Sequence, residues 1–250
     1  MESSMNAFKD RWQTVFGDGA ANLALRIVVM FFGLICIACG IALAKLAAMG
    51  TAPISSLPAV LTEFCERTDV PMTMGAWTFV FNLIFFLIEI ILLRRQFNPI
   101  QLLQIPLFVV LSVAVDGWLG IFSAWPPMNY LHQLVYLFIS IIFLGFGIRV
   151  QLAANLLMSP GDAVVQVIAY VSGRRFGRCK VAWDVTLMCL AVLASLLLLG
   201  GLYQVREGTV IAALLVGRVV RLFDIWLRPL AWLVPKTSRV LVPPLCPVVD

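Results

Sequence analysis

The chain has 250 residues, 62% of them hydrophobic and 12% charged, and a mean hydropathy of +0.99. Soluble domains are about 45–50% apolar, so this composition excludes a soluble globular protein and marks an integral membrane protein. The net charge of +5 is too small and scattered to suggest a nucleic-acid partner; it fits Lys and Arg collected in cytoplasmic loops.

In chain order, residues 1–23 are polar, include acidic residues and lack an apolar core. They read as a cytoplasmic arm, not a cleaved signal peptide. Apolar segments follow at 25–48, 53–65, 74–93, 99–121, 130–156, 160–172, 181–200 and 208–228. Six are long enough to span a bilayer whose hydrocarbon core needs about 20 residues; the two that begin at prolines are in the length range of re-entrant segments. The predicted layout is a membrane repeat over 24–124, a second over 125–228, and a proline-rich tail over 229–250 that shows no folded domain.

The division into repeats comes from a stretch written twice. Residues 40–56 and 147–163 align without a gap and match at Gly40/Gly147, Ile41/Ile148, Ala47/Ala154 and Pro53/Pro160. Proline has no N–H to donate and turns the preceding residue away from helix, so one helix must end and another begin there. Thr51, Ser55 and Ser56 in one copy, and Ser159, Gly161 and Asp162 in the other, are expected to cap the short helices. The duplication continues with Gly75/Gly177, Asn82/Asp184, and the pairs Asp116–Trp118 and Asp224–Trp226. A repeat of this size sets the architecture.

The expected fold is all-α, with two inverted repeats, six transmembrane helices and two short half-membrane helices. If all eight segments crossed, the halves would be parallel instead, and a raw count of loop cations barely separates the two. Placement separates them better. The basic cluster follows the third helix in the first half (Arg94, Arg95) but precedes it in the second (Arg174, Arg175, Arg178, Lys180). Equivalent loops with opposite bias suit halves of opposite orientation.

These residues resemble the YitT/YczE-type multispanning bacterial membrane proteins. The resembling marks are the Gly–Thr–x–Pro and Ser–Pro–Gly–Asp breaks, the glycines seven residues before Asn82 and Asp184, and the Val–Val–Arg–Leu–Phe–Asp ending of the last helix. The resemblance covers about residues 25–228, lies nearer the YczE branch, and implies a bacterial inner-membrane protein of transporter type without naming a substrate.

Ionisable groups inside spans cost about 2.5–3.5 kcal/mol at the bilayer centre on insertion scales, so each needs a reason. Lys45 can snorkel from its helix end, Glu89 can pair toward Arg94 at the cytoplasmic surface, and Arg26 reads as a cytoplasmic anchor. Asp162 is either a plain helix cap or a cation-binding group at a cavity floor, with Ser55 opposite. Asp184, equivalent to Asn82, is a candidate H+ or Na+ carrier or else a hydrogen-bonding strut; Trp77 and Trp183 can stack on a substrate or merely pack. Arg149 and Arg218 can neutralise Asp116 or Asp224, or bind an anion. Cys36 and Cys39 sit in an apolar helix without further ligands and read as packing residues. No metal spacing, phosphate loop or nucleophile motif is present, so no cofactor and no enzyme activity are expected.

The leading functional expectation is a secondary transporter of a small solute, its site lying between the N-termini of the two short helices. It sits in the bacterial inner membrane with both chain ends cytoplasmic, and its partners are lipid, an unidentified solute and a coupling ion; the oligomeric state is open. A channel-like facilitator and a non-transporting membrane partner are the alternatives.

Overall fold

The computed structural model describes residues 20–94, 99–154, 156–157, 159–174 and 176–226, so most of the polar arm and all of the tail lie outside the described residues. Among the described residues eight α-helices follow one another: α1 (Ala20–Ala47), α2 (Pro53–Arg67), α3 (Met74–Leu93), α4 (Gln104–Phe122), α5 (Tyr130–Ala154), α6 (Pro160–Ser172), α7 (Phe176–Leu199) and α8 (Glu207–Trp226). A 3-10 turn, Pro99–Leu103, leads into α4. Among the described residues there is no strand.

Both proline breaks form. After α1 the backbone takes positive φ at Ala48 (53°) and Gly50 (113°), and Pro53 then opens α2 with its fixed φ. Pro160 opens α6 in the same way. The expected side-chain caps do not: neither Ala52 nor Ser159, the residues at the cap positions, makes a side-chain cap hydrogen bond. Backbone turns serve instead, with Asp162 and Ala163 donating N–H to the Ser159 carbonyl at 3.0 and 2.9 Å.

Among the described residues five helices are long and apolar enough to cross a membrane, within α1, α3, α4, α5 and α7. The expected sixth span, α8, carries Glu207, Arg218, Arg221 and Asp224 and is not among them. At 15 and 13 residues, α2 and α6 reach only roughly 20 Å at 1.5 Å per residue, short of the ~30 Å core. Large apolar side chains such as Val113, Ile142, Leu197 and Leu214 line the outside, as a lipid-facing surface requires.

The centre of the molecule is the crossing of α1 and α5. A Cβ on Gly33 would lie 2.8 Å from the Gly147 carbonyl oxygen, and one on Gly40 would lie 2.9 Å from that of Ser140. The two helices therefore run antiparallel, and glycine lets their backbones touch where no side chain would fit. Met30, Leu34 and Ile37 of α1 join Leu107, Leu111 and Val115 of α4 in the largest buried apolar cluster. Around this pair, α4 packs on α1 and α8 on α5, while the short helices cross over: α2 lies on α7, and α6 on α3. One seam breaks the pattern. Helix α3 packs along α4, whereas α7 makes no comparable contact with α8 among the described residues.

Polar contacts fix which chain ends meet. Lys45, near the end of α1, pairs with the exposed Glu66 near the end of α2. Glu63 binds Arg67 at 3.2 Å and accepts from Gln204 at 3.4 Å, and the Arg67 guanidinium lies 4.0 Å above the Tyr203 ring. The Gly208 N–H donates to the Met49 carbonyl at 3.0 Å. The ends of α1 and α2 and the α7–α8 connection thus share one end of the molecule. Arg26 is fully buried and donates to the Ala154 carbonyl at 2.9 Å, so it braces the second break and is no surface anchor. Glu89, also fully buried, accepts from Gln101 at 2.8 Å; the expected pairing toward Arg94 is replaced by this internal bond.

Candidate functional site

Asp162 sits in the first turn of α6 with its backbone N–H already used by Ser159, which leaves its carboxylate to be spent elsewhere. It meets Lys180, whose Nζ is 3.0 Å from Asp162 Oδ1 and 3.0 Å from Asp184 Oδ1. Lys180 and Asp184 are one turn apart on α7, the spacing that brings side chains together on one helix face. A lysine this near the start of a membrane helix would ordinarily extend back toward the nearer surface. Here it runs forward along α7 and bridges two helices. Two carboxylates and one ammonium leave the cluster with a formal charge of −1, and the three side chains remain 22–29% exposed. The ammonium thus approaches the two carboxylates equally closely.

The surroundings are aromatic and short of polar partners. The Trp183 ring stands edge-on to Phe85 of α3 at 5.6 Å, while Cys179 packs on Val165 and Ala169 of α6. Trp183 Nε1, Trp77 Nε1, Asn82 Nδ2 and Gln166 Oε1 are buried without a hydrogen-bond partner. The starts of the two short helices do approach each other, but Ile54 fills the space: a Cβ on Gly161 would fall 1.7 Å from Ile54 Cδ1. The charged cluster lies beside this contact, between α6 and α7.

The other candidates are placed elsewhere. Ser55 and Ser56 donate back to the Ala52 carbonyl at 3.1 and 3.0 Å, and Thr51 lies 3.4 Å from the Ser56 hydroxyl, so these three hydroxyls are occupied within the first break. Ser159 is half-buried at the second break. Asp116 is held by no arginine. Its carboxylate accepts from Thr73 Oγ1 and from the Gly75 N–H, both at 2.7 Å, and so anchors the start of α3 to α4. Arg149 borders an open cleft with Leu152, Val220 and Arg221, and Arg218 is exposed on α8. The Asp224 side chain lies outside the described ones. Among the described residues no three His, Cys, Asp or Glu side chains gather as a metal site would require.

Lys180 is the member that sequence reasoning missed, because its neighbours Arg174, Arg175 and Arg178 made it look like part of a basic loop. The available signal was its i,i+4 spacing to Asp184.

Comparison with known proteins supplies a family and no activity. The uncharacterized protein YyaS of Bacillus subtilis (strain 168) is 25% identical over 143 residues, covering 57% of this chain and 67% of that one. No solved structure matches. The matching family is not named for the YitT/YczE type that the motifs resemble. Its model covers residues 24–225, and the chain belongs to it: DUF6198, a family of unknown function.

Proposed function

We propose that this multi-pass membrane protein is a secondary transporter of a small solute, built from two inverted repeats in a bacterial inner membrane with both chain ends cytoplasmic. Support for inversion comes from reciprocity at the central crossing. The two copies run 107 residues apart, so Gly33 corresponds to Ser140, Ile37 to Leu144 and Gly40 to Gly147. Gly33 touches Gly147 while Gly40 touches Ser140; Gly147 touches Ile37 while Gly40 touches Leu144. Each contact is the mirror of another with partners exchanged, as a two-fold axis between the halves requires. The meeting of the α2 end with the α7–α8 connection supports six crossings, because eight would put those two points on opposite faces.

The observation that carries the transport reading is the Lys180–Asp162–Asp184 cluster. Ionisable side chains within spans mark solute and ion pathways. Lys180 neutralises one carboxylate and leaves the other as the seat for a cation: H+, Na+ or the charged end of the solute. An arriving cation competes with the Lys180 ammonium for Asp184. Broken helices at equivalent places in two halves are the architecture in which such sites occur.

The test is reconstitution into liposomes and uptake from pools of small labelled amines, amino acids and carboxylates under an imposed pH or Na+ gradient. Saturable accumulation that collapses when the gradient is dissipated, and that is lost in Asp184→Asn, is the expected result. Saturable flux indifferent to the gradient makes the chain a facilitator, and folded protein that carries no flux overturns transport.

A further inference from the structure

The first break is stitched residue by residue to the α7–α8 connection and the start of α8. The Met49 carbonyl accepts the Gly208 N–H at 3.0 Å, and the Thr51 N–H donates to the Gln204 carbonyl at 3.4 Å. Between them, a Cβ on Gly50 would lie 2.3 Å from Thr209 Oγ1, so only glycine, here at a φ of 113°, admits that hydroxyl. Two oxygens at this join are left over. Thr209 Oγ1 is fully buried and the Gln204 side chain is 8% exposed, yet Thr209 Oγ1 and Gln204 Oε1 have no hydrogen-bond partner among the described residues. The Gln204 amide nitrogen is already spent on Glu63 at 3.4 Å, which leaves the oxygen as its free end. Gln204 also holds a left-handed φ of 60°, uncommon for such a residue and the mark of a position fixed by its surroundings. Thr51, fully buried too, gives its hydroxyl proton to Ser56 at 3.4 Å and keeps its oxygen lone pairs. The join thus gathers three neutral side-chain oxygens able to accept, two of them accepting nothing.

We propose that the first break is a Na+ site, with Thr209 Oγ1, Gln204 Oε1 and Thr51 Oγ1 as ligands and carbonyl oxygens of the break to complete the shell. Its coupling role rests on the transporter reading, in which Na+ then has its own seat and the Lys180 cluster is left to the solute. Charge at this end does not oppose a cation. Lys45 is paired with Glu66, Arg67 with Glu63 and Arg206 with Glu207. The Gly208 and Thr209 N–H groups at the start of α8 are taken by the Met49 and Arg206 carbonyls. The C-terminal end of α1 meanwhile contributes the negative end of its dipole. Other occupants fit less well. A divalent ion draws on carboxylates, and the three here are spent on cations. Hydroxyls and amides take up no proton near neutral pH, and Gly50 presses on Thr209 too closely for an organic ammonium. Unwound backbone at the C-terminal end of a broken helix is where transporters hold Na+.

Thermal unfolding of the full-length protein in detergent, at constant ionic strength, reads binding without transport. Replacing choline chloride by NaCl should raise the melting temperature saturably, because a ligand of the folded state stabilises it. Thr209→Val keeps the shape and removes the orphan hydroxyl, so its melting temperature in choline should hold or rise. Its Na+ increment should vanish. Thr209→Ser retains the oxygen and should retain the increment. Should Thr209→Val fail to fold, Thr51→Val removes another ligand and should lose the increment in the same way. Equal melting temperatures in Na+ and choline overturn the proposal and leave water to satisfy the oxygens. A Na+ increment that survives both valine variants overturns it as well. A Na+ increment in protein that carries no flux keeps the site and sinks the transporter reading; flux driven by a Na+ gradient without any increment does the reverse.

Discussion

At the scale of single residues, the cluster is held by one lysine against two acids, and removing it has a calculable consequence. Lys180→Met leaves Asp162 and Asp184 as adjacent, unneutralised carboxylates. The pair is neither fully exposed nor fully buried, so the loss should fall between the two regimes, about 1–3 kcal/mol. Adding Asp184→Asn removes one of the repelling charges and should restore much of that stability, which a double-mutant cycle of thermal unfolding in detergent measures directly. Additive losses would mean that Lys180 and Asp184 do not interact. Asp162 and Asp184 were visible in the sequence as acids in awkward places, but their shared partner was not, since nothing local says that a lysine beside a basic turn points inward. The serines illustrate the opposite error. Ser55 and Ser56 were expected to cap α2 but lie inside its first turn, where their hydroxyls bond carbonyls three and four residues back, the local alternative always open to such side chains.

At the scale of the elements, the breaks and the central crossing were legible to different degrees. Prolines 53 and 160 fix helix starts by covalent geometry, so both appeared where expected. The α1–α5 contact was written as Gly33, Gly40 and Gly147, but a glycine signals close approach without naming what approaches. The crossing now ranks the glycines. Gly147→Ala pushes a methyl to 2.7 Å from the Gly33 carbonyl and 2.8 Å from the Ile37 nitrogen, both backbone atoms that cannot step aside cheaply. Overpacking of this kind costs about 1–3 kcal/mol. Gly33→Ala, meeting the same backbones from the other side, should cost a similar amount. Gly120→Ala, on the open face of α4 with nothing within 4 Å, should be neutral or stabilising by up to about 1 kcal/mol through helix propensity. Reversible unfolding of the three variants in one detergent checks the order. Equal effects at Gly147 and Gly120 would remove the crossing from the account.

At the scale of the whole molecule, the question is which connections face the same side. Hydropathy alone could not answer it: eight apolar segments allow parallel or inverted halves, and a raw count of loop cations is nearly the same for both. The proposed inversion draws on tertiary contact, because Glu63 and Arg67 reach Gln204 and Tyr203 across more than a hundred residues of chain. The α2–α3 and α7–α8 connections are therefore neighbours, and the Arg174 turn lies at the opposite end of α7. Native thiols are poor reporters of this, since Cys65 and Cys179 are both buried; exposed Val70, Leu202 and Arg174 serve better. With the native cysteines replaced, Val70→Cys and Leu202→Cys should react with an impermeant maleimide in intact cells, and Arg174→Cys only once the membrane is opened. Eight crossings predict that Val70 behaves like Arg174 and unlike Leu202. Because α8 is the least apolar of the long helices, a third pattern also has meaning. If Leu202 reacts from outside and a cysteine at Leu222 does so too, α8 lies along the outer surface, the second half crosses twice, and the two-fold relation stops at α7. Reaction at Leu222 only after the membrane is opened places α8 across the bilayer beside α5, with Arg218 and Arg221 toward the cytoplasmic face where the positive-inside rule puts them.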